Sequence, residues 1–311
     1  MNTPVRLSLF AAGLAALFTG AYFVSGAIVP DSTVEAWNDE AAPEHAQEEG
    51  GHGAAPVRGL GIEQDGYVLS AVTAPAEVGV EGTLAFQISG AEGHVLTDYT
   101  VEHEQELHLI IVRTDGTGFR HVHPVRDAGG TWSLPWAWDA AGTYRVYTDF
   151  VPADTGEALD VTLTRTVEVA GDLTPRPAPE ASLTNTVDGF DVALTGDLYA
   201  GADSELTVAV TKDGEPVTAI EPYLGAWGHL VALREGDLAY LHVHPEGAAP
   251  EPGETSGPEI TFATQAPTAG RYLLYLDFQV GGEVRTAAFT VETAEAPADT
   301  DPEHTDDMGG H

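Results

Sequence analysis

The stretch His108–Pro124, HLIIVRTDGTGFRHVHP, returns as HLVALREGDLAYLHVHP at His229–Pro245, and this pair decides how the chain is read. The differences 229 − 108, 242 − 121 and 244 − 123 are all 121, so the copies align without a gap. Seven of the 17 positions are identical, and three of those seven are histidines. Side chains on a strand alternate with a period of two, so the H-x-H of each copy puts both imidazoles on one face. Neutral imidazole is a ligand for zinc and copper. Each copy therefore offers three candidate ligands, His108, His121 and His123 in the first and His229, His242 and His244 in the second.

The turn between the two histidine-bearing strands decides whether the three rings meet. DGTG in the first copy and EGD in the second carry the residues of a tight hairpin. Residues directly opposite in an antiparallel pair have numbers that sum to a constant. A two-residue loop at Thr114–Asp115 gives a sum of 229, with His108 opposite His121; a loop at Asp115–Gly116 gives 231, with His108 opposite His123. Both registers gather the three rings, since diagonal neighbours lie only ~7–8 Å apart. A three-residue loop would turn His108 to the other face.

Around these motifs the pattern is strand and turn. A prior of roughly 150 residues per domain predicts two domains for 311 residues, in agreement with the repeat. Thirty-five Gly and 20 Pro punctuate short apolar or alternating runs, which argues for many turns and few long helices. GYVLSAVTA, GTLAFQIS, ELHLIIVRT, GFRHVHP, TWSLPWAW, GTYRVYTDF and LDVTLTRTVEV form the first unit, and seven comparable runs follow in the second. AGTYRVYTDF and AGRYLLYLDF align at 272 − 144 = 128 and resemble the late strand of immunoglobulin-like sandwiches, where a tyrosine ties back to the backbone. The fold class predicted is all-β, two tandem immunoglobulin-like β-sandwiches after an N-terminal transmembrane helix. The boundaries are 61–170 and 184–293 for the sandwiches, with a Pro-rich linker at 171–183.

The ends of the chain read differently. Arg6 precedes an uncharged, largely apolar run from Leu7 to Val29, long enough for the ~20 residues that span a bilayer. Residues 1–30 are thus a membrane anchor, or a signal peptide cleaved near Ser25–Ala27. Either places the domains outside the cytoplasm, because the positive charge lies on one side and an acidic segment on the other. Residues 31–60 and 294–311 are acidic, rich in Ala, Glu, Gly and Pro, and are expected to be a disordered tether and tail. His45, His52, His304 and His311 lie in them among carboxylates.

Forty-nine Asp and Glu against 12 Lys and Arg give a net charge of −37, which repels phosphate backbones and excludes a nucleic-acid partner. The absence of cysteine excludes disulfides, thiolate metal sites and a cysteine nucleophile. A three-imidazole site leaves a coordination position open, for which Asp149 and Asp277, matched by the offset of 128, are candidate ligands or orienting partners. His103 adds a candidate in the first copy only, since Leu224 stands in its place in the second.

HEQELHLIIVR…HVHP and PYLGAWGHLVALR…AYLHVHP resemble a family of exported or membrane-anchored actinobacterial proteins with paired HxHP repeats, sometimes labelled heavy-metal-binding. The fold is also similar to YtkA-like and CopC-like sandwiches. The resemblance implies a divalent metal, copper or zinc, and a membrane metal transporter as partner. CopC-type sites use a mature N-terminal amine that nothing after this anchor supplies. The function predicted is an extracytoplasmic metal-binding protein, not an enzyme. A structural or adhesive module and a metal-dependent hydrolase are the other readings.

Overall fold

The computed structural model describes residues 57–296 apart from 91, 154–158, 178–179, 242 and 252. The expected anchor or signal at 1–30, the tether up to residue 56, the tail from 297 and His242 lie outside the described residues. Among the described residues no helix is long and apolar enough to cross a membrane.

The described chain is all β, without helix, and each repeat supplies ten strands. The first runs β1 (Glu63–Gln64), β2 (Tyr67–Leu69), β3 (Gly82–Ser89), β4 (Tyr99–Thr100), β5 (His108–Arg113), β6 (Arg120–Val122), β7 (Val125–Arg126), β8 (Thr131–Trp136), β9 (Gly142–Pro152) and β10 (Val161–Val169). The second runs β11 (Thr184–Val187), β12 (Phe190–Thr195), β13 (Asp203–Lys212), β14 (Glu215–Pro216), β15 (His229–Arg234), β16 (Tyr240–Leu241), β17 (Val243–Pro245), β18 (Glu259–Gln265), β19 (Arg271–Val280) and β20 (Glu283–Glu292). The seven runs of each repeat become ten strands because short edge ladders such as β1, β4 and β14 add to them and the H-x-H strand divides in the second repeat. Four sheets result, β1-β2-β3-β8-β7 and β10-β9-β5-β6 in the first repeat, β11-β12-β13-β18-β17 and β16-β15-β19-β20 in the second. Each repeat is a β-sandwich with the same order along the main path of its sheets, while off that path β4 pairs with β9 in the first repeat and β14 with β13 in the second.

Two cores follow from the alternation. Leu109 and Ile111 of β5 pack with Leu84, Phe86, Trp132 and Val146 in the first sandwich. Leu230 and Ala232 of β15 pack with Val208, Phe262 and Leu274 in the second. The other face of these strands is buried too: Ile110, Val112 and Tyr147 meet Val231, Leu233, Leu273 and Tyr275 in a third cluster between the sandwiches. That double burial is why HLIIVR and HLVALR are nearly continuous apolar runs. A strand with one face in water would alternate.

The late tyrosines tie back as the sequence suggested. Tyr144 Oη donates to the Ala140 carbonyl at 2.9 Å, and Tyr272 Oη donates to Thr268 O at 2.9 Å.

Candidate metal centre

The first hairpin takes the register with the larger sum. Leu109 faces Val122, Ile110 faces His121 and Ile111 faces Arg120, and 109 + 122 = 231. His108 and His123 fall at the same sum, with His121 one step away. The second hairpin keeps this register, since Ala232 faces Leu241 and 232 + 241 = 231 + 242 = 473. At the turn Gly116 has φ +76°, and a Cβ there would lie 2.6 Å from Leu273 Cδ1 of the other sandwich. Gly116 N donates to Arg113 O and Arg113 N to Thr117 O, both 2.8 Å, so the turn is a three-residue loop, Thr114–Gly116, and not the two-residue loop expected. Here 113 + 117 = 230, and one extra residue before Arg120 restores the sum of 231 that keeps His108 on the face of His121 and His123.

His108, His121 and His123 converge, each offering one ring nitrogen within 4.8 Å of the others. His108 Nδ1 lies 3.0 Å from His121 Nε2 and 3.1 Å from His123 Nε2. The outer nitrogens have acceptors. His108 Nε2 donates to the Glu102 carbonyl at 3.2 Å. His121 Nδ1 donates to Asp277 Oδ2 at 3.0 Å. A carbonyl and a carboxylate can only accept, so in the neutral rings these partners assign the hydrogens to His108 Nε2 and His121 Nδ1. The lone pairs of His108 Nδ1 and His121 Nε2 then face each other.

No proton placement satisfies this set while the rings stay neutral. His108 Nδ1 has one in-plane lone pair and two imidazole nitrogens against it, so it can accept from one of them at most. Charging a ring is opposed by the surroundings. Burial, then the neighbouring His121, pulls the His108 pKa from 6.5 down to about 4. Burial, then His121, His108 and His229, pulls that of His123 to about 3. A cation between the three nitrogens would meet all three lone pairs. An outer N–H held by a carboxylate or carbonyl is the arrangement that orients metal-bound imidazoles. The cluster can therefore hold a metal ion with a coordination position to spare.

The second repeat does not repeat this cluster among the described residues. The chain leaves the β15 sheet earlier than in the first repeat, so that His244 lies on β17, exposed and opposite Ala263 of β18 in the other sheet. His123, its counterpart, remains beside His108. His229 is 8% exposed and turns toward the first repeat's histidines, with ring centroids 6.2 Å from His108 and 5.9 Å from His121. Its Nε2 donates to the Tyr223 carbonyl at 2.9 Å, as His108 does to Glu102. Burial, then His121, lowers its pKa to about 3.

Both carbonyls belong to type I′ turns. Glu102–Gln105 has φ +49° at His103 and +62° at Glu104, and Tyr223–Ala226 has +52° at Leu224 and +70° at Gly225. The first turn places the His103 ring 5.2 Å from that of His229 and 6.2 Å from that of His108, outside the three-nitrogen group.

The two aspartates part company. In register Asp149 faces His108 and Asp277 faces His229. Asp277 reaches across to His121, with both side chains at most 4% exposed, and accepts from Thr286 Oγ1 at 2.6 Å. Asp149 accepts instead from Thr162 Oγ1 at 2.8 Å and from Tyr240 Oη at 3.3 Å. A cavity of about 50 Å³ lined by His103, His108, His121, Asp149, His229 and Tyr240 adjoins the cluster. Tyr240 and the two turn carbonyls escaped the sequence reading, and only the unbroken apolar runs of β5 and β15 signalled that this face is covered.

A family model described as a domain of unknown function, DUF8832, matches residues 62–169 and again 185–295. The chain belongs to this family. Curated proteins give no match. Solved structures similar to it include trypsin-activated alpha-2-macroglobulin from Escherichia coli, at 14% identity over 77% of this chain and 16% of that one, TM-score 0.25. The D00-D0 domain of intimin is 12% identical over 72% of this chain and 99% of its own, TM-score 0.20. Domains 4–9 of the surface layer protein SbsC are 12% identical over 75% and 31%, TM-score 0.19. The chain spans about a sixth of the alpha-2-macroglobulin chain. Similarity at this level bears on neither the site nor its chemistry.

Proposed function

We propose that this protein binds a divalent transition metal, copper or zinc, through His108, His121 and His123. The observation that carries the reading is the convergence of three ring nitrogens while the outer nitrogens of His108 and His121 are held by an acceptor-only carbonyl and carboxylate. Neutral imidazoles are ready ligands, and burial keeps His108 and His123 neutral well below pH 7. The tyrosine ties at Ala140 and Thr268 support immunoglobulin-like sandwiches as the scaffold. The apolar run Leu7–Val29 supports a location outside the cytoplasm at the membrane, where a metal transporter is the fitting partner.

Metal analysis of the purified chain, followed by titration of copper(II) and zinc into the chelator-treated protein, tests this. The His121→Ala/His123→Ala variant should keep its β-rich circular dichroism and lose the tight site, with weak binding left to the acidic tails. Full stoichiometric binding by that variant would move the site elsewhere. A wild-type chain that takes up neither ion would leave a structural module.

A further inference from the structure

The contacts between the sandwiches are reciprocal. Tyr147 Oη of the first donates to the Leu238 carbonyl in the second hairpin, and Tyr275 Oη of the second donates to the Gly116 carbonyl in the first, both at 2.7 Å. Tyr147 and Tyr275 are equivalent by the offset of 128, so each repeat gives the same tyrosine to the other's turn. Phe119 stacks on Tyr275 with centroids 4.1 Å apart, and its counterpart Tyr240 packs on Tyr147 at 5.9 Å. The face buried here is the face that carries the histidines, since Ile110 is directly opposite His121.

Within this matched interface the carboxylates act differently. Asp277 leaves its register partner His229 and holds His121 of the other sandwich, while Asp149 is taken up by two hydroxyls. The three ligand nitrogens all come from the first repeat, and the group that aims one of them comes from the second.

We infer that the second repeat is the positioning half of the metal centre in the first, so that metal loading and docking of the two sandwiches are thermodynamically coupled. This rests on the metal reading above. Asp277 fixes His121 with its hydrogen on Nδ1 and its lone pair on Nε2, the nitrogen that faces His108. Loss of such a partner typically costs about 10–100-fold in metal affinity. Coupling is reciprocal, so an ion that binds more tightly to the docked arrangement favours docking by the same factor. Ten- to 100-fold corresponds to about 1.4 to 2.8 kcal/mol. The interface bonds of Tyr275 and the contacts of Leu273 should report that gain directly.

The test uses the full-length chain as wild type, Asp277→Ala and Asp277→Asn, with zinc and copper(II) as the probes. Asp277→Ala should weaken binding by about 10–100-fold, and Asp277→Asn, which keeps an acceptor, should recover part of the loss. Zinc should slow hydrogen exchange at residues 271–276 of the second repeat in the wild type, and much less in Asp277→Ala. In the metal-free protein the ¹⁵N shifts of His121 should report the Nδ1–H tautomer, and a mixture in Asp277→Ala. Wild-type affinity in Asp277→Ala, or equal zinc protection in both, overturns the inference. A wild type that binds neither ion overturns the metal reading and the coupling with it, while the His121 tautomer still decides the positioning role.

Discussion

Replacing His108 and His123 together by Gln should flatten the acid dependence of folding in the metal-free protein. Their folded pKa values, about 4 and about 3, lie below the unfolded value near 6.5. Between those limits the unfolded chain binds more protons, so stability falls as pH drops below about 6.5 and the full contribution is present only above it. At pH 5 each unfolded imidazole is almost fully protonated and each folded one almost neutral, a penalty of about 2 kcal/mol per ring relative to pH 8. His123 is the more exposed of the two, and screening there brings the pair to about 3 kcal/mol. That is a large share of a total stability of roughly 5–15 kcal/mol. Protonation of surface carboxylates in a chain of net charge −37 also changes with pH, but equally in wild type and variant. The assay is urea unfolding at pH 8 and pH 5 in the presence of chelator. The wild type should lose about 3 kcal/mol more than His108→Gln/His123→Gln over that interval. Parallel curves, with a difference under about 0.5 kcal/mol, would refute the claim that these rings are buried in neutral form.

Leu273→Ala removes a side chain that is 4% exposed and packs against the other repeat's turn, and should cost about 2–4 kcal/mol by denaturant unfolding. Gly116→Ala meets the same contact from the other side, at φ +76° with a Cβ 2.6 Å from Leu273 Cδ1, and should lower the melting temperature measurably, while Gly189→Ala, with open space at its Cβ, should cost only its backbone strain. Tyr275→Phe deletes the donor to the Gly116 carbonyl and should cost about 1–2 kcal/mol in thermal unfolding. Leu224→Asn puts the preferred residue into an Asn-Gly type I′ turn now occupied by Leu at φ +52°, and should raise stability by about 0.5–1 kcal/mol.

The sequence located His121 but not the group that holds it. The place of His121 beside His108 and His123 was readable from the period of two, and the structure takes one of the two registers that were open, but it reaches it through a three-residue loop followed by one extra residue, not through the even loop expected. Its partner Asp277 was not, because the offset of 128 pairs Asp277 with His229 of its own sheet, and only packing brings it to the other repeat. His244 shows the limit from the other side. Sequence identity with His123 suggested an identical role, yet β17 pairs with β18 and carries His244 into the opposite sheet.

By itself the sequence determined the all-β character, the two repeats, the strands that carry the histidines and the face they share, since all of these follow from short-range alternation and turn chemistry. The tertiary structure alone decided that the histidine face is an interface, that Asp277 and His229 of the second repeat approach the first repeat's cluster, and that the three-histidine cluster is not repeated among the described residues. The reason is that a twofold repetition in sequence fixes each repeat's own sheet, whereas the residues opposite its outer face depend on how two surfaces dock. No local pattern encodes that choice beyond the unbroken apolar runs that require some cover.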